Sequence, residues 1–80
     1  MKLYDFYYDD GKTGFVLKIN AERETVEKLL DEYRGLDPDG YNLDDFMDFL
    51  KEKGYEVKYV VGYSSNSPVE LDIDAEAIYF

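Results

Sequence analysis

The sequence contains no cysteine, no histidine and no tryptophan, and no lysine or arginine follows Lys58. Without cysteine no disulfide can staple the chain, and without cysteine or histidine the usual ligand sets for zinc, copper and iron are absent. A serine nucleophile would have no histidine as its base. We therefore expect a protein that is not an enzyme and that holds no cofactor or metal ion.

Long apolar runs are also absent. No stretch approaches the ~20 apolar residues of a membrane span, and the first residues lack the apolar segment of a signal peptide. A cytoplasmic protein that does not contact membranes is the expectation. The 80 residues are predicted to form a single domain, residues 1–80, with a small core to which nine tyrosines and five phenylalanines contribute.

Two short motifs resemble ligand sites and do not meet their requirements. The Gly11-Lys12-Thr13 segment ends like a phosphate-binding loop, but Phe6 stands where the first glycine is required. The segment 37–40 resembles a calcium loop, but no register supplies both the acidic first ligand and the central glycine. Weak divalent-cation binding by the acidic residues of 37–45 stays open.

Apolar periodicity predicts two helices. After Asn20 as N-cap, Val26, Leu29, Leu30 and Tyr33 fall on one helical stripe, and Gly35 is predicted to end the helix. The second helix is predicted over residues 43–53, with Asn42 as N-cap and Gly54 as its terminator. The apolar stripe of this helix comprises Leu43, Phe46, Phe49 and Leu50.

Alternation with a period of two predicts four strands, over residues 2–9, 15–19, 55–63 and 69–80. The first two form a hairpin across the Asp9–Gly14 turn segment. In the third, the alternation from Tyr55 to Tyr63 is expected to keep one face apolar throughout. The order ββααββ favours an α+β two-layer sandwich, with a four-stranded, mainly antiparallel sheet and both helices on one face.

The last predicted strand carries the pattern that points most directly to function. Odd positions from Val69 to Tyr79 are apolar and are expected to face the core. Even positions are expected to project outward as a row of carboxylates, namely Glu70, Asp72, Asp74 and Glu76. The row repeats every ~6.6 Å. This repeat is of the same order as the spacing of phosphates along a nucleic-acid strand, which rises about 3.4 Å per phosphate.

The formal net charge of −10 favours a basic partner and disfavours direct binding to nucleic acid. The acids gather in two tracts, the last strand and a segment that contains Asp37, Asp39, Asp44, Asp45 and Asp48. We expect these tracts to contact a basic surface on a protein partner, with Tyr41 or Tyr63 as aromatic anchors. The most concrete partner is a nucleic-acid-binding protein or nuclease complex, whose nucleic-acid groove the chain would occupy.

In size, acidity and lack of catalytic motifs, the whole chain resembles the small anti-CRISPR and anti-restriction inhibitors encoded by phages and mobile elements. The resemblance is one of composition and assigns no residue a role. The alternative is a general protein-interaction module, homodimeric in one form, that binds through an apolar or aromatic sheet face. Tyr7, Val16 and Val60 fall on strand faces opposite the predicted core and indicate such a face.

Overall fold

The computed structural model describes residues 1–9, 12–36, 42–64 and 74–80. Its elements follow the predicted order ββααββ. They are β1 (Lys2–Tyr7), β2 (Thr13–Ile19), α1 (Arg23–Leu36), α2 (Leu43–Glu52), β3 (Val57–Ser64) and β4 (Glu76–Tyr79).

The four strands form one sheet in the order β3-β2-β1-β4. β1 pairs antiparallel with β2, with Phe6 opposite Phe15, and β2 pairs antiparallel with β3. β4 pairs parallel with β1, with Ile78 beside Phe6. The predicted α+β sandwich with a mainly antiparallel sheet is therefore confirmed, and the strand order is what the sequence alone left open.

Both helices cover the same face of the sheet and form the core with it. The predicted stripes are confirmed, because Val26, Leu30 and Tyr33 of α1 and Phe46 and Leu50 of α2 are buried. Aromatic rings fill the centre, in keeping with the aromatic share of the sequence. The Phe6 ring lies 5.3 Å from Phe15, 5.4 Å from Phe46 and 6.2 Å from Phe80, measured between centroids.

The ends of α2 follow the sequence prediction. The Asn42 side chain accepts a hydrogen bond from the Asp45 backbone N–H at 3.0 Å, as an N-cap does. At the other end Tyr55 N–H donates to the Leu50 carbonyl and Gly54 N–H to the Lys51 carbonyl. These two bonds form a Schellman motif, and Gly54 supplies its left-handed residue with φ 94°.

The ends of α1 differ from the prediction. The helix begins at Arg23, and Asn20 instead belongs to the sheet, where its side-chain oxygen accepts a hydrogen bond from Glu56 N–H at 2.8 Å. Asn20 is therefore not an N-cap, because its amide extends the pairing of β2 with the segment before β3. Gly35 lies inside the helix, which continues to Leu36 without a left-handed glycine at that position.

A bulge interrupts the pairing of β3 with β2. Leu17 lies opposite Tyr59, but Val16 lies opposite Val61, so Val60 is an extra residue in β3. Because an extra residue reverses which side of the sheet each following side chain takes, Val61 and Tyr63 do not share the face of Val57. The prediction of one continuous apolar face from Tyr55 to Tyr63 was wrong for this reason.

Two arginines of α1 cover the outer edge of β4. Phe80 N–H donates inward to the Tyr7 carbonyl at 2.8 Å, whereas Ala77 and Tyr79 turn their carbonyls outward. Arg23 donates to the Ala77 carbonyl at 2.8 Å, and Arg34 donates to the carbonyls of Tyr79 and Phe80. These guanidinium groups occupy acceptors that another strand would otherwise pair with, which protects the edge.

Replacing both Arg23 and Arg34 with alanine is expected to expose this edge and to cause concentration-dependent self-association through β4. Sedimentation velocity over a range of protein concentrations measures the effect. Lys28→Ala combined with Lys51→Ala makes the same change in net charge at exposed positions and serves as the control. If the two double variants sediment alike, the arginines do not guard the edge.

Candidate partner-binding surface

The acidic side chains of α1 lie beside basic ones. Among the described residues, three ion pairs involve this helix, two of them within it and one with Lys53, and a fourth involves Glu22, which directly precedes it. They are Lys2–Glu22 at 2.6 Å, Arg23–Glu27 at 2.7 Å, Arg34–Asp31 at 3.8 Å and Lys53–Glu32 at 2.8 Å. Exposed pairs of this kind add little stability, but they cancel charge locally. The surface of α1 is therefore close to neutral.

The acidic side chains of α2 differ from those of α1 in their ion pairing. Asp44, Asp45 and Asp48 are exposed, and none of them forms an ion pair with a lysine or arginine among the residues that the structure describes. The Asp45 carboxylate accepts a hydrogen bond from the Asn42 side chain at 3.2 Å. The positive end of the helix dipole favours the carboxylates of Asp44 and Asp45, which lie in the first turn, whereas Asp48 lies beyond it.

Helical spacing brings two of these carboxylates and that of Glu52 into one row. Asp44, Asp48 and Glu52 lie at i, i+4 and i+8 on α2, and all three are exposed. A rise of 1.5 Å per residue separates successive members by roughly 6 Å along the axis. The predicted acids Asp44, Asp45 and Asp48 thus lie together on one helix, and Glu52, which the sequence analysis did not single out, extends their row.

In the described part of the last strand, the side chains that are buried are not those that were predicted to face the core. Ile78 and Phe80 are buried, whereas Ala77 and Tyr79 are exposed, so the expectation that odd positions face the core was wrong here. The parallel register with β1 is the cause, because it sets Ile78 beside Phe6 beneath the helices. Alternation in a sequence indicates a strand, but pairing with the neighbouring strands determines which of the two alternating sets of side chains is buried.

Asp74 and Glu76 are exposed and lie away from α2. They line a shallow surface depression with Met1, Lys2 and Leu3 at the start of β1, whereas Leu43 of α2 lies near Tyr8, past the other end of that strand. Lys2 and Tyr8 are separated by about 20 Å of extended chain. The structure therefore groups the carboxylates of α2 and separates them from those of β4.

A basic group also lies near the β4 acids. The hydrogen bond and charge of Glu22 raise the pKa of the Lys2 ammonium, and the negative charge of Glu76 adds to this shift. Of the other predicted contact residues, the acids Asp37, Asp39, Glu70 and Asp72 and the aromatic Tyr41 lie outside the described residues.

The hydroxyl of Tyr63, a predicted aromatic anchor, is held within the fold. It donates a hydrogen bond to Asp5 Oδ1 at 2.7 Å, and the ring crosses over Gly14 to reach it. Tyr63 is half-buried on the sheet face that the helices leave uncovered. Its hydroxyl therefore contributes to the sheet, and only part of its ring faces outward.

The uncovered sheet face carries aromatic side chains that sequence analysis did not single out. Tyr79 is 46% exposed, and its ring meets that of Tyr7 edge-on at 5.6 Å. Val60, at the bulge, is 42% exposed, but Val16, which was predicted to be free on this face, is fully buried between Asp5 and Val61. Tyr59 is 51% exposed as well, but it lies opposite Leu17 on the side of the sheet that the helices cover.

Among the residues that the structure describes, no group of three or more acidic side chains converges as a metal site would require. None of the described helices combines the length and the apolar character needed to cross a membrane. Burial raises the pKa values of the tyrosine hydroxyls of Tyr4 and Tyr8, which lie at the margin of the core.

The protein is an acidic two-layer α+β sandwich. Among the residues that the structure describes, the aspartates that form no ion pair include a group on α2. Comparison with known proteins finds no matching family model, no matching curated protein and no matching solved structure.

Proposed function

We propose that this protein is a non-enzymatic binding protein, and that the carboxylates of α2 contact a basic surface on a protein partner. The observation that carries the proposal is the contrast between the helices. The acids at 22, 27, 31 and 32 form ion pairs, whereas Asp44, Asp45 and Asp48 form none in the described part of the chain. Unpaired exposed charges of one sign steer a partner of opposite charge and set the register of its binding.

In its most concrete form, the partner is a nucleic-acid-binding protein, and this chain inhibits it by occupying the nucleic-acid groove. The support is the roughly 6 Å step between Asp44, Asp48 and Glu52, which is of the same order as the separation of phosphates along a strand. Asp37 and Asp39 precede α2 in the sequence and add two charges to the same tract. The acids of the last strand, Glu70, Asp72, Asp74 and Glu76, would form a second contact on a large partner.

Affinity capture tests this proposal. The immobilised protein is incubated with a host lysate at about 0.01 M ionic strength, and bound proteins are eluted at about 1 M, where the Debye length falls from about 30 Å to about 3 Å. We expect a basic, nucleic-acid-binding protein to elute with salt and to be displaced by duplex DNA or RNA. Capture that neither salt nor nucleic acid reverses would contradict the mimicry.

A second candidate function is a protein-interaction module that binds through the uncovered sheet face. The exposed ring of Tyr79 favours it, since aromatic side chains are common anchors of interfaces. Tyr79→Lys would then abolish a partner contact or a homodimer without affecting salt-sensitive binding by α2. Salt-insensitive capture that this substitution abolishes would favour the module over the inhibitor.

A further inference from the structure

A cleft lies beside the N-terminus of α2, where the sheet extends past the helix. It has a volume of about 380 Å³, near the lower limit for ligand pockets. The side chains of Tyr8, Tyr59, Leu43 and Ser64 line it, together with Gly62. None of the lining residues in the described part of the chain is charged, and they supply aromatic rings, hydroxyl groups and one aliphatic side chain.

The absence of a side chain at Gly62 makes room for the Tyr59 ring, which forms one wall of the cleft. Gly62 lies opposite Phe15 and shares the covered side of the sheet with it. The Tyr59 hydroxyl lies where a Cβ of residue 62 would be. Tyr59 is half-exposed, whereas Tyr8 is fixed by edge-on contacts with Phe15 at 5.9 Å and Phe80 at 5.5 Å. One wall is therefore packed against the core, and the other is exposed to solvent.

Charged residues of both signs flank the lining residues of the cleft in sequence. Asp44 follows Leu43 directly, and Asp9 follows Tyr8, so carboxylates flank two of the lining residues in sequence. Lys58 precedes Tyr59, but it lies opposite Lys18 on the other side of the sheet from the cleft, and Lys12 precedes Thr13, which pairs with Ser64. Aromatic faces attract cations, and a planar guanidinium both stacks on rings and donates to hydroxyl oxygens.

We propose that the cleft receives an arginine side chain that projects from the basic partner. The inference rests on the proposed function, because it assumes that the cleft and the carboxylates of α2 contact the same basic partner. Tyr8 and Tyr59 would flank the guanidinium, and their hydroxyl oxygens and that of Ser64 would accept its hydrogen bonds. Asp44 would supply the negative charge at the rim. The cleft thus adds a specific anchor to a surface that otherwise attracts partners by charge alone.

The test is an NMR titration of the full chain with N-acetyl-arginine methylamide, compared with the corresponding citrulline derivative. Citrulline has nearly the same shape and lacks the charge. We expect saturable shifts of the backbone amides of residues 59–64 with arginine, and a midpoint at least about tenfold higher with citrulline, as cation–aromatic attraction predicts. Equal midpoints, or shifts spread over all acidic residues, would overturn the proposal.

Two variants test the cleft itself. Gly62→Val displaces the end of the Tyr59 side chain from its place over residue 62, and Tyr59→Ala removes this wall of the cleft. Both are expected to raise the arginine midpoint at least about fivefold, consistent with the strength of exposed cation–aromatic contacts. Tyr79→Ala removes another half-exposed tyrosine from the other sheet edge and should leave the midpoint unchanged. Thermal denaturation verifies that each variant folds.

The two proposals fail in different ways. If neutralising Asp44, Asp45 and Asp48 abolishes binding to a basic peptide such as nona-arginine while Gly62→Val does not alter it, the function stands and the arginine cleft is refuted. If arginine saturates the wild-type cleft and Gly62→Val blocks it, but the aspartate variant binds nona-arginine as tightly as wild type, the cleft stands and the role of α2 is refuted.

Discussion

Phe46→Ala is expected to lower the free energy of unfolding by about 3–5 kcal/mol. The Phe46 side chain is fully buried, and its ring contacts those of Phe6 at 5.4 Å, Tyr33 at 5.3 Å and Phe80 at 5.6 Å. It therefore joins both helices, the central strand β1 and the end of β4. Its truncation leaves a cavity whose rigid aromatic walls have little freedom to close around it.

Urea denaturation of the wild type and the variant measures this loss. For a domain of this size, with a total stability of about 4–12 kcal/mol, the melting temperature should fall by more than about 12 °C. Leu36→Ala is the matched control, because Leu36 is 69% exposed and its truncation should change stability by less than about 0.5 kcal/mol. Similar losses in the two variants would show that Phe46 is not central to the core.

Gly14→Ala is expected to lower the free energy of unfolding by on the order of 3 kcal/mol. A Cβ at this position would lie 2.6 Å from the Phe6 carbonyl oxygen and would overlap the Tyr63 hydroxyl. The backbone of β1 would have to move, and the Tyr63 ring would have to leave Gly14. The hydrogen bond from Tyr63 to Asp5 would then be lost, so overpacking and a broken hydrogen bond add together.

Gly35→Ala is the matched control for this substitution and should have the opposite sign. Gly35 lies in α1, and nothing lies within 4 Å of its added Cβ. Alanine in a helix interior is more stable than glycine by roughly 0.5–1 kcal/mol. Denaturation of the two variants side by side measures both effects, and a stabilising Gly14→Ala would contradict the described packing of Tyr63.

The sequence predicts the local elements of this fold well, for physical reasons. The stripes of α1 and α2 are set by helical periodicity, and the cap at Asn42 and the terminator at Gly54 depend on bonds within a few residues. Asn20 has the same chemistry as Asn42, but it forms its hydrogen bonds with Glu56, 36 residues away. Cap residues are predictable only where no distant partner competes for their side chains.

The facing of the outer strands depends on long-range pairing. β4 buries Ile78 because β1 accepts it in a parallel register, and β3 changes its facing at Val60 because a bulge absorbs one residue. Neither the register nor the bulge leaves a mark in a sequence that alternates regularly. The alternation correctly indicated strands and gave no reliable indication of which side chains are buried.

Only part of the candidate binding surface can be predicted from the sequence. The acidity of α2 is visible in the sequence, but the neutralisation of α1 is visible only in part. Arg23–Glu27 follows from helical spacing, whereas Lys2–Glu22 and Lys53–Glu32 join residues 20 and 21 positions apart. Only neighbours in the folded structure distinguish a paired carboxylate from an unpaired one. The sequence alone therefore does not identify α2, rather than α1, as the helix with the candidate binding surface.

The most direct test of this account is the binding of nona-arginine by a variant in which Asp44, Asp45 and Asp48 are replaced by asparagine. The control variant carries Glu22→Gln, Glu27→Gln and Glu32→Gln on the paired surface and has the same net charge. At about 0.01 M ionic strength, where surface charges are least screened, we predict at least a tenfold loss of affinity for the α2 variant and a smaller loss for the control. Equal losses in the two variants would show that net charge alone attracts the peptide and would contradict a binding surface on α2.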